Sequence, residues 1–202
     1  MAVVSIKNKL RRSNLLVGND PYIPTHFESI ATVSLSSSAA TVTFSSIPAT
    51  FTHLQIRAFV QTNRGTFGVD GMGLQINGSA GTNYAYHYLR GSGSGVAAAA
   101  VTSASSIAEL STVGCGTTTG GTFGVSIIDI LDYANTNKYK TVRNLNGADL
   151  NGLVGGVGGF LSLVSGLWMQ TNAITSLVFS PNSGTNFTQY SHFALYGIKG
   201  AA

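Results

Sequence analysis

The chain has 202 residues, which suits one domain with a core of its own. Hydrophobic residues make up 44% of the sequence, so the composition excludes a disordered chain, and charged residues make up only 9%. The net charge of +4 arises in SIKNKLRRSNLL, residues 5–16, because the remaining seven basic residues equal the seven acidic ones in number.

This basic segment is interpreted as a docking arm, residues 1–29, that precedes a body of residues 30–202. Its apolar side chains would bury on a partner and its cations would meet an acidic surface. The docking residues are Ile6, Lys7, Lys9, Leu10, Arg11, Arg12, Leu15 and Leu16. Four cations without interleaved aromatic residues are a weak footprint for nucleic acid, which is not expected as a partner. The apolar run after the cations is too short for a signal peptide, and no run is long enough for a membrane helix.

The rest of the chain reads as short strands with Gly, Asn and Ser turns. Strands are predicted at 30–35, 40–44, 53–61, 72–77, 83–89, 106–112, 123–133, 139–144, 160–169, 174–180 and 192–199. The first two are predicted to form a hairpin around the Ser-rich link. The low-complexity segment 91–105 is predicted to be a mobile loop, and the Gly-rich segment 146–159 to contain a flexible turn. This spacing predicts an all-β fold, an antiparallel β-sandwich of the jelly-roll kind with an extended N-terminal arm.

Alternation assigns side chains to faces in two of these strands. In HLQIRAFVQ, residues 53–61, one face carries Leu54, Ile56, Ala58 and Val60. In FGVSIIDILDY, residues 123–133, one face carries Val125, Ile127, Asp129 and Leu131. Period-two alternation groups these residues but does not say which group is buried.

A third strand raises the question of a ligand. Tyr84, Tyr86 and Tyr88 share one face, with Arg90 beside them, and aromatic faces with hydrogen-bonding tips can stack on sugars. These four residues form a candidate ligand or partner face. The alternative is that the tyrosines pack against the second sheet or a partner.

Other chemistry is scarce. The four histidines lack metal-ligand spacing, and Cys115 is the one cysteine, so neither a disulfide nor a thiolate metal cluster is expected. Asp129 and Asp132 are three apart, so a strand points them to opposite faces and they cannot act as a catalytic pair. No catalytic residue, cofactor or metal is therefore predicted.

Four blocks carry a resemblance to a known family. They are SIATVSLSSSAATVTFSSIPATFTHLQIRAFVQ (29–61), FGVSIIDILDYANTNKYKTVRNLNG (123–147), SGLWMQTNAI (165–174) and YSHFALYGIKG (190–200). They resemble blocks of small β-rich virion structural proteins of tailed bacteriophages. The resemblance covers most of the chain from Phe27 to Gly200.

The resemblance implies a non-enzymatic part of a virus particle, made in the bacterial cytoplasm, without membrane insertion. By analogy it implies a homo-oligomer, with a trimer favoured, that attaches to other virion proteins of the tail or capsid. A tail-fibre or tail-tip component contacting host cell-surface glycans is favoured. A capsid decoration protein, in the manner of cement proteins or head fibres, is the first alternative. A carbohydrate-binding module is the second, and an enzyme such as a depolymerase is the least supported.

Overall fold

The computed structural model describes residues 26–65, 67–116, 121–154 and 157–200, and every helix or strand element in these ranges is a strand. The predicted all-β, sandwich-like fold is confirmed. The strands are β1 Phe27–Ser34, β2 Val42–Phe44, β3 His53–Thr62, β4 Val69–Ile76, β5 Tyr84–Gly91, β6 Val96–Ala104, β7 Ile107–Cys115, β8 Gly124–Leu131, β9 Lys140–Val154, β10 Val157–Trp168, β11 Leu177–Pro181 and β12 His192–Ile198.

Hydrogen bonds connect these strands into an open, mixed sheet that forms two layers. We name them the large sheet, with the order β1-β12-β3-β8-β9-β10-β5-β6, and the small sheet, with the order β2-β11-β4-β7. They join where Gln61 and Thr62, at the end of β3, pair in parallel with Gly114 and Cys115 of β7. This is the one departure from the predicted antiparallel pairing among the twelve strands. From there β7 lies across β9 and β10.

The core fills the space between the layers where β3 and β12 face the small sheet. The predicted grouping of Leu54, Ile56, Ala58 and Val60 on one face of β3 is confirmed, and the structure shows that this face is the buried one. Aromatic rings meet there edge to face, with the Phe187 and Phe193 ring centroids 5.3 Å apart. Such burial of apolar surface is the main favourable contribution to folding.

The predicted hairpin of the first two strands is wrong. β1 pairs with β12 in the large sheet, whereas β2 pairs with β11 in the small sheet. The Ser-rich link bonds to the segment before β12 instead: Leu35 N donates to Ser191 O, and Ala39 and Phe187 exchange two hydrogen bonds. The link therefore carries the chain from one layer to the other.

Two segments predicted to be irregular are strands. The predicted mobile loop at 91–105 contains β6, which pairs with β5 along its length. In the Gly-rich segment, β9 continues to Val154 and β10 resumes at Val157. Gly159 has φ +125°, and a Cβ there would lie 2.3 Å from the carbonyl oxygen of Ala148, so this close strand approach requires glycine. These strands were missed in the sequence because their small residues give no alternating pattern, although backbone pairing does not require large side chains.

Candidate interaction surface

The predicted tyrosine face lies largely in the core. Tyr84 is fully buried; its hydroxyl accepts a hydrogen bond from Ile76 N at 2.8 Å and donates to Ser79 O at 3.1 Å. Burial raises the pKa of Tyr84, and burial together with the charge of Glu109 raises that of Tyr86. The prediction of a stacking surface for sugars is therefore wrong for Tyr84 and Tyr86, whereas Tyr88 is half-buried. Their rings pack against the small sheet, as the alternative interpretation expected.

Arg90 belongs to an internal network at one end of the sandwich. Its guanidinium carbon lies 4.7 Å from the centre of the Tyr88 ring and 4.9 Å from that of Phe160. Its Nη2 donates to Glu109 at 2.8 Å, and Asn182 donates to the other oxygen of that carboxylate at 2.9 Å. These contacts tie β5, β7 and the loop after β11 together. The charge of Arg90 is thus engaged within the molecule.

The predicted docking residues lie outside the described residues. They are Ile6, Lys7, Lys9, Leu10, Arg11, Arg12, Leu15 and Leu16. The described residues begin at His26, and β1 follows at one edge of the large sheet. The docking hypothesis stays a prediction.

A row of polar side chains is buried on the inner side of the large sheet. Ser126, Asn146 and Ser162 lie side by side on β8, β9 and β10, and all are buried. β7 passes over them, and they bond to it: Thr112 N donates to Asn146 Oδ1 at 2.9 Å, and the hydroxyls of Ser126 and Ser111 bond to each other. The polar side chains thus provide partners for groups of β7 that would otherwise be buried without one.

The opposite, outward side of the same strands is apolar. Side chains alternate along a strand, so the residues next in sequence to the buried polar ones point outward. We define the apolar outer face by its large side chains, which are 44% to 79% exposed. They are Phe59, Leu89, Val96, Val125, Ile127, Leu145, Leu161 and Leu163.

Strand register arranges this face in two adjacent rows. One row runs Phe59, Val125, Gly147, Leu161, Gly91 and Val96 across β3, β8, β9, β10, β5 and β6. The next row runs Arg57, Ile127, Leu145, Leu163, Leu89 and Ala98 across the same strands. The face is therefore continuous over six strands. Contiguous exposed apolar surface of this kind marks an interaction site in soluble proteins.

The third row forms a polar border to the apolar outer face. It places Gln55, Asp129 and Arg143 next to one another on β3, β8 and β9. Gln55 donates to Asp129 at 2.9 Å and accepts from Arg57 Nε at 3.1 Å. The Arg57 guanidinium carbon is 5.4 Å from the centre of the Phe27 ring. Charges of both signs are thus held in place along one side of the face.

The apolar outer face ends at an open sheet edge. β6 is the last strand of the large sheet, and its residues Val96–Ala104 carry no charge and no proline. The edge at β1 differs, because Glu28 on it accepts from Lys199 at 2.9 Å. The edge at β2 is only three residues long. Short and charged edges resist strand addition, whereas a long apolar edge invites it.

A shallow hollow indents the apolar outer face. It has a volume of about 530 Å³, and its lining includes Gly91, Gly147, Val125 and Leu161 together with the acidic Asp149. The two glycines lie in the first row on either side of Leu161, which is 65% exposed. Along this row, gaps at the two glycines therefore alternate with the protruding side chain of Leu161.

Two further buried groups have structural roles. The Lys140 ammonium donates to three carbonyl oxygens, those of Asn135, Lys138 and Thr171, and its burial lowers its pKa. Burial raises the pKa of the Cys115 thiol to about 11.

Within the described ranges no three His, Cys, Asp or Glu side chains are placed to share a metal ion. The same ranges contain no helix of the length and apolarity that crossing a membrane requires.

The predicted site residues and the apolar outer face differ in how the sequence signals them. The alternation of β8 did group Val125 and Ile127 on one face, but it left the direction of that face open. The sequence signal that could have indicated this direction is Asn144-Leu145-Asn146, in which polar residues flank an apolar one. In the structure both asparagines are buried and Leu145 is exposed. Comparison with protein-family models and with curated proteins finds no match for this sequence.

Proposed function

We propose that this chain is a non-enzymatic structural protein of a tailed bacteriophage particle, and that its β-sandwich is fixed in the particle by the N-terminal arm. The observation that carries the proposal is the apolar outer face, which a protein working alone in water would bury or interrupt with charge. The low charged fraction of the sequence and the resemblance of its blocks to virion proteins support the same class.

Placement on the tail, as a fibre or tip component that contacts the host surface, is the favoured form of the proposal. The arm would bind another virion protein by ordering on it, and several arms in one oligomer, a trimer by analogy, would multiply a weak contact. The carbohydrate-binding alternative loses the face on which it rested, because Tyr84 and Tyr86 are buried.

Labelling of purified particles tests this proposal. An antibody against the chain, followed by gold labelling and electron microscopy, should mark the tail. Label spread over the head would support the alternative of a capsid decoration protein and contradict the tail. Absence of the chain from purified particles would overturn the proposal as a whole.

Truncation tests the role of the arm separately. Deletion of residues 1–20 should leave a folded body with the same far-ultraviolet circular dichroism, because none of the twelve described strands includes a deleted residue. That body should no longer enter particles. Incorporation of the truncated chain at the wild-type level would contradict the anchoring role.

A further inference from the structure

We propose that the apolar outer face is an interface between copies of this chain. This inference deepens the proposed function, because it names the partner that covers the face. It can nevertheless be tested on the purified chain alone. Three properties of the face favour a second copy over an unrelated protein: its extent, its relief and its border.

The extent of the face, together with its polar border, lies near the lower limit for a specific contact between proteins. With the polar border included, six strands spaced about 4.8 Å apart and three rows of side chains cover about 25 Å by 20 Å, or about 500 Å². Two such faces together approach the ~1,000 Å² above which contacts between proteins become specific. Sheets pack face to face about 10 Å apart through apolar side chains of this kind. A second copy carries a face of the same dimensions.

The relief of the face is complementary to itself. Leu161 protrudes between the gaps at Gly147 and Gly91, and Val96 protrudes beyond the second gap. A leucine or valine of one copy can therefore enter the hollow of another. Interlocking of protrusions and hollows gives the close packing that distinguishes specific interfaces from mere apolar contact.

The polar border also suits a second copy. The border row contains Asp129 and Arg143, and Arg57 lies next to it in the second row. When the same border meets itself around a symmetry axis, the aspartate of one copy can face an arginine of the other. A strongly acidic or strongly basic partner would leave like charges facing each other on part of this border.

The test compares the mass of the full chain in solution with that of three variants, by sedimentation over a range of concentrations. The wild type should have a mass that is an even multiple of 20.9 kDa, because a face that packs on the same face of a second copy pairs the chains about a two-fold axis. Leu163→Glu should weaken association at least about 100-fold, because it would bury an unpaired charge in the interface. The matched control is Thr43→Glu, which places the same charge on an exposed strand residue of the small sheet and should leave the mass unchanged.

Gly91→Val separates specific packing from apolar attraction. A Cβ at Gly91 meets no atom within 4 Å, so the fold accepts the change, and the new side chain lies beside the hollow. This variant adds apolar surface yet should weaken association about tenfold or more by filling the space a second copy needs. Tighter association of Gly91→Val would overturn the proposed packing.

Other outcomes also decide the proposal. A wild-type chain that stays at 20.9 kDa at every concentration would overturn it, and so would association that Leu163→Glu leaves intact. Cys115 provides a check on folding in each variant, because its buried thiol should stay unreactive toward iodoacetamide at neutral pH. None of these results depends on whether the chain is found in phage particles.

Discussion

In β3 and β12 the side chains that face the small sheet are apolar, whereas the parts of β8, β9 and β10 beneath β7 turn polar side chains inward. Ile56 and Phe193 represent the first region, and Asn146 and Ser162 represent the second. On the outward side, β3 carries the polar Gln55 and Arg57 beside Phe59, whereas β8, β9 and β10 expose Ile127, Leu145 and Leu163.

The difference follows from what lies above each region. Aromatic rings cover β3 and β12, including Phe179, whose ring centroid is 5.5 Å from that of Phe193. The backbone of β7 covers the other region, and Leu110 O there accepts from Asn144 Nδ2 at 2.6 Å. A buried backbone carbonyl needs a donor more than it needs an apolar neighbour. The inner side of the large sheet is thus apolar where side chains of the other layer cover it, and polar where the backbone of β7 covers it.

Shortening one isoleucine in each region should give the largest contrast in stability. Ile56→Ala removes a fully buried side chain and should lower the free energy of unfolding by about 3 kcal/mol, since it leaves a cavity in the core. Ile127→Ala, in the outer face, should cost less than about 1 kcal/mol in the single chain. Urea denaturation at concentrations where each variant is monomeric measures both. Equal losses would mean that the two regions do not differ as described.

Exchange of polarity in β9 should give the next largest effect. Asn146→Leu removes the acceptor of Thr112 N, so a buried donor is left unpaired, and the free energy of unfolding should fall by about 2 kcal/mol despite the more apolar side chain. Leu145→Asn makes the opposite change one residue away, on the exposed side.

The neighbouring variant serves as the control for this exchange. Because Leu145 points outward, Leu145→Asn should change the unfolding free energy of the single chain by no more than about 0.5 kcal/mol. If Asn146→Leu proved stabilising, the buried polar row would not be acting as a set of partners for β7.

The turn between β8 and β9 should contribute least, and its effect should depend on pH. A hydrogen bond and ion pair from Lys138 lowers the pKa of Asp132 below its ordinary 3.8. The stabilisation is therefore complete above the unfolded pKa and is lost as the pH falls through the lower native pKa. For this largely solvated pair it should stay below about 1 kcal/mol.

Thermal unfolding between pH 2 and pH 6 measures that contribution. The wild type should lose the small stabilisation from this ion pair as the pH falls toward 2. Lys138→Met lacks that stabilisation already at pH 6. The difference between the two proteins should therefore shrink as the pH falls. A difference that grows toward low pH would contradict the assigned pair.

Local sequence patterns located most strands but not their partners. The alternation of His53–Thr62 and of Gly124–Leu131 was readable because large apolar residues recur at every second position. The alanines of β6 give too weak an alternation to predict a strand, and only the backbone pairing with β5 shows that one forms there. The first two strands were assigned to one hairpin because they are close in sequence, yet each found its neighbour near the C-terminal end of the chain.

The sequence by itself determined that this chain forms strands with two unlike faces, since period-two alternation is a property of each segment alone. Only the tertiary structure decided which face is buried, because that depends on what a distant segment places above the strand. β7 arrives over Asn144 and Asn146 with backbone groups that need partners, and Leu145 is left facing outward as a result.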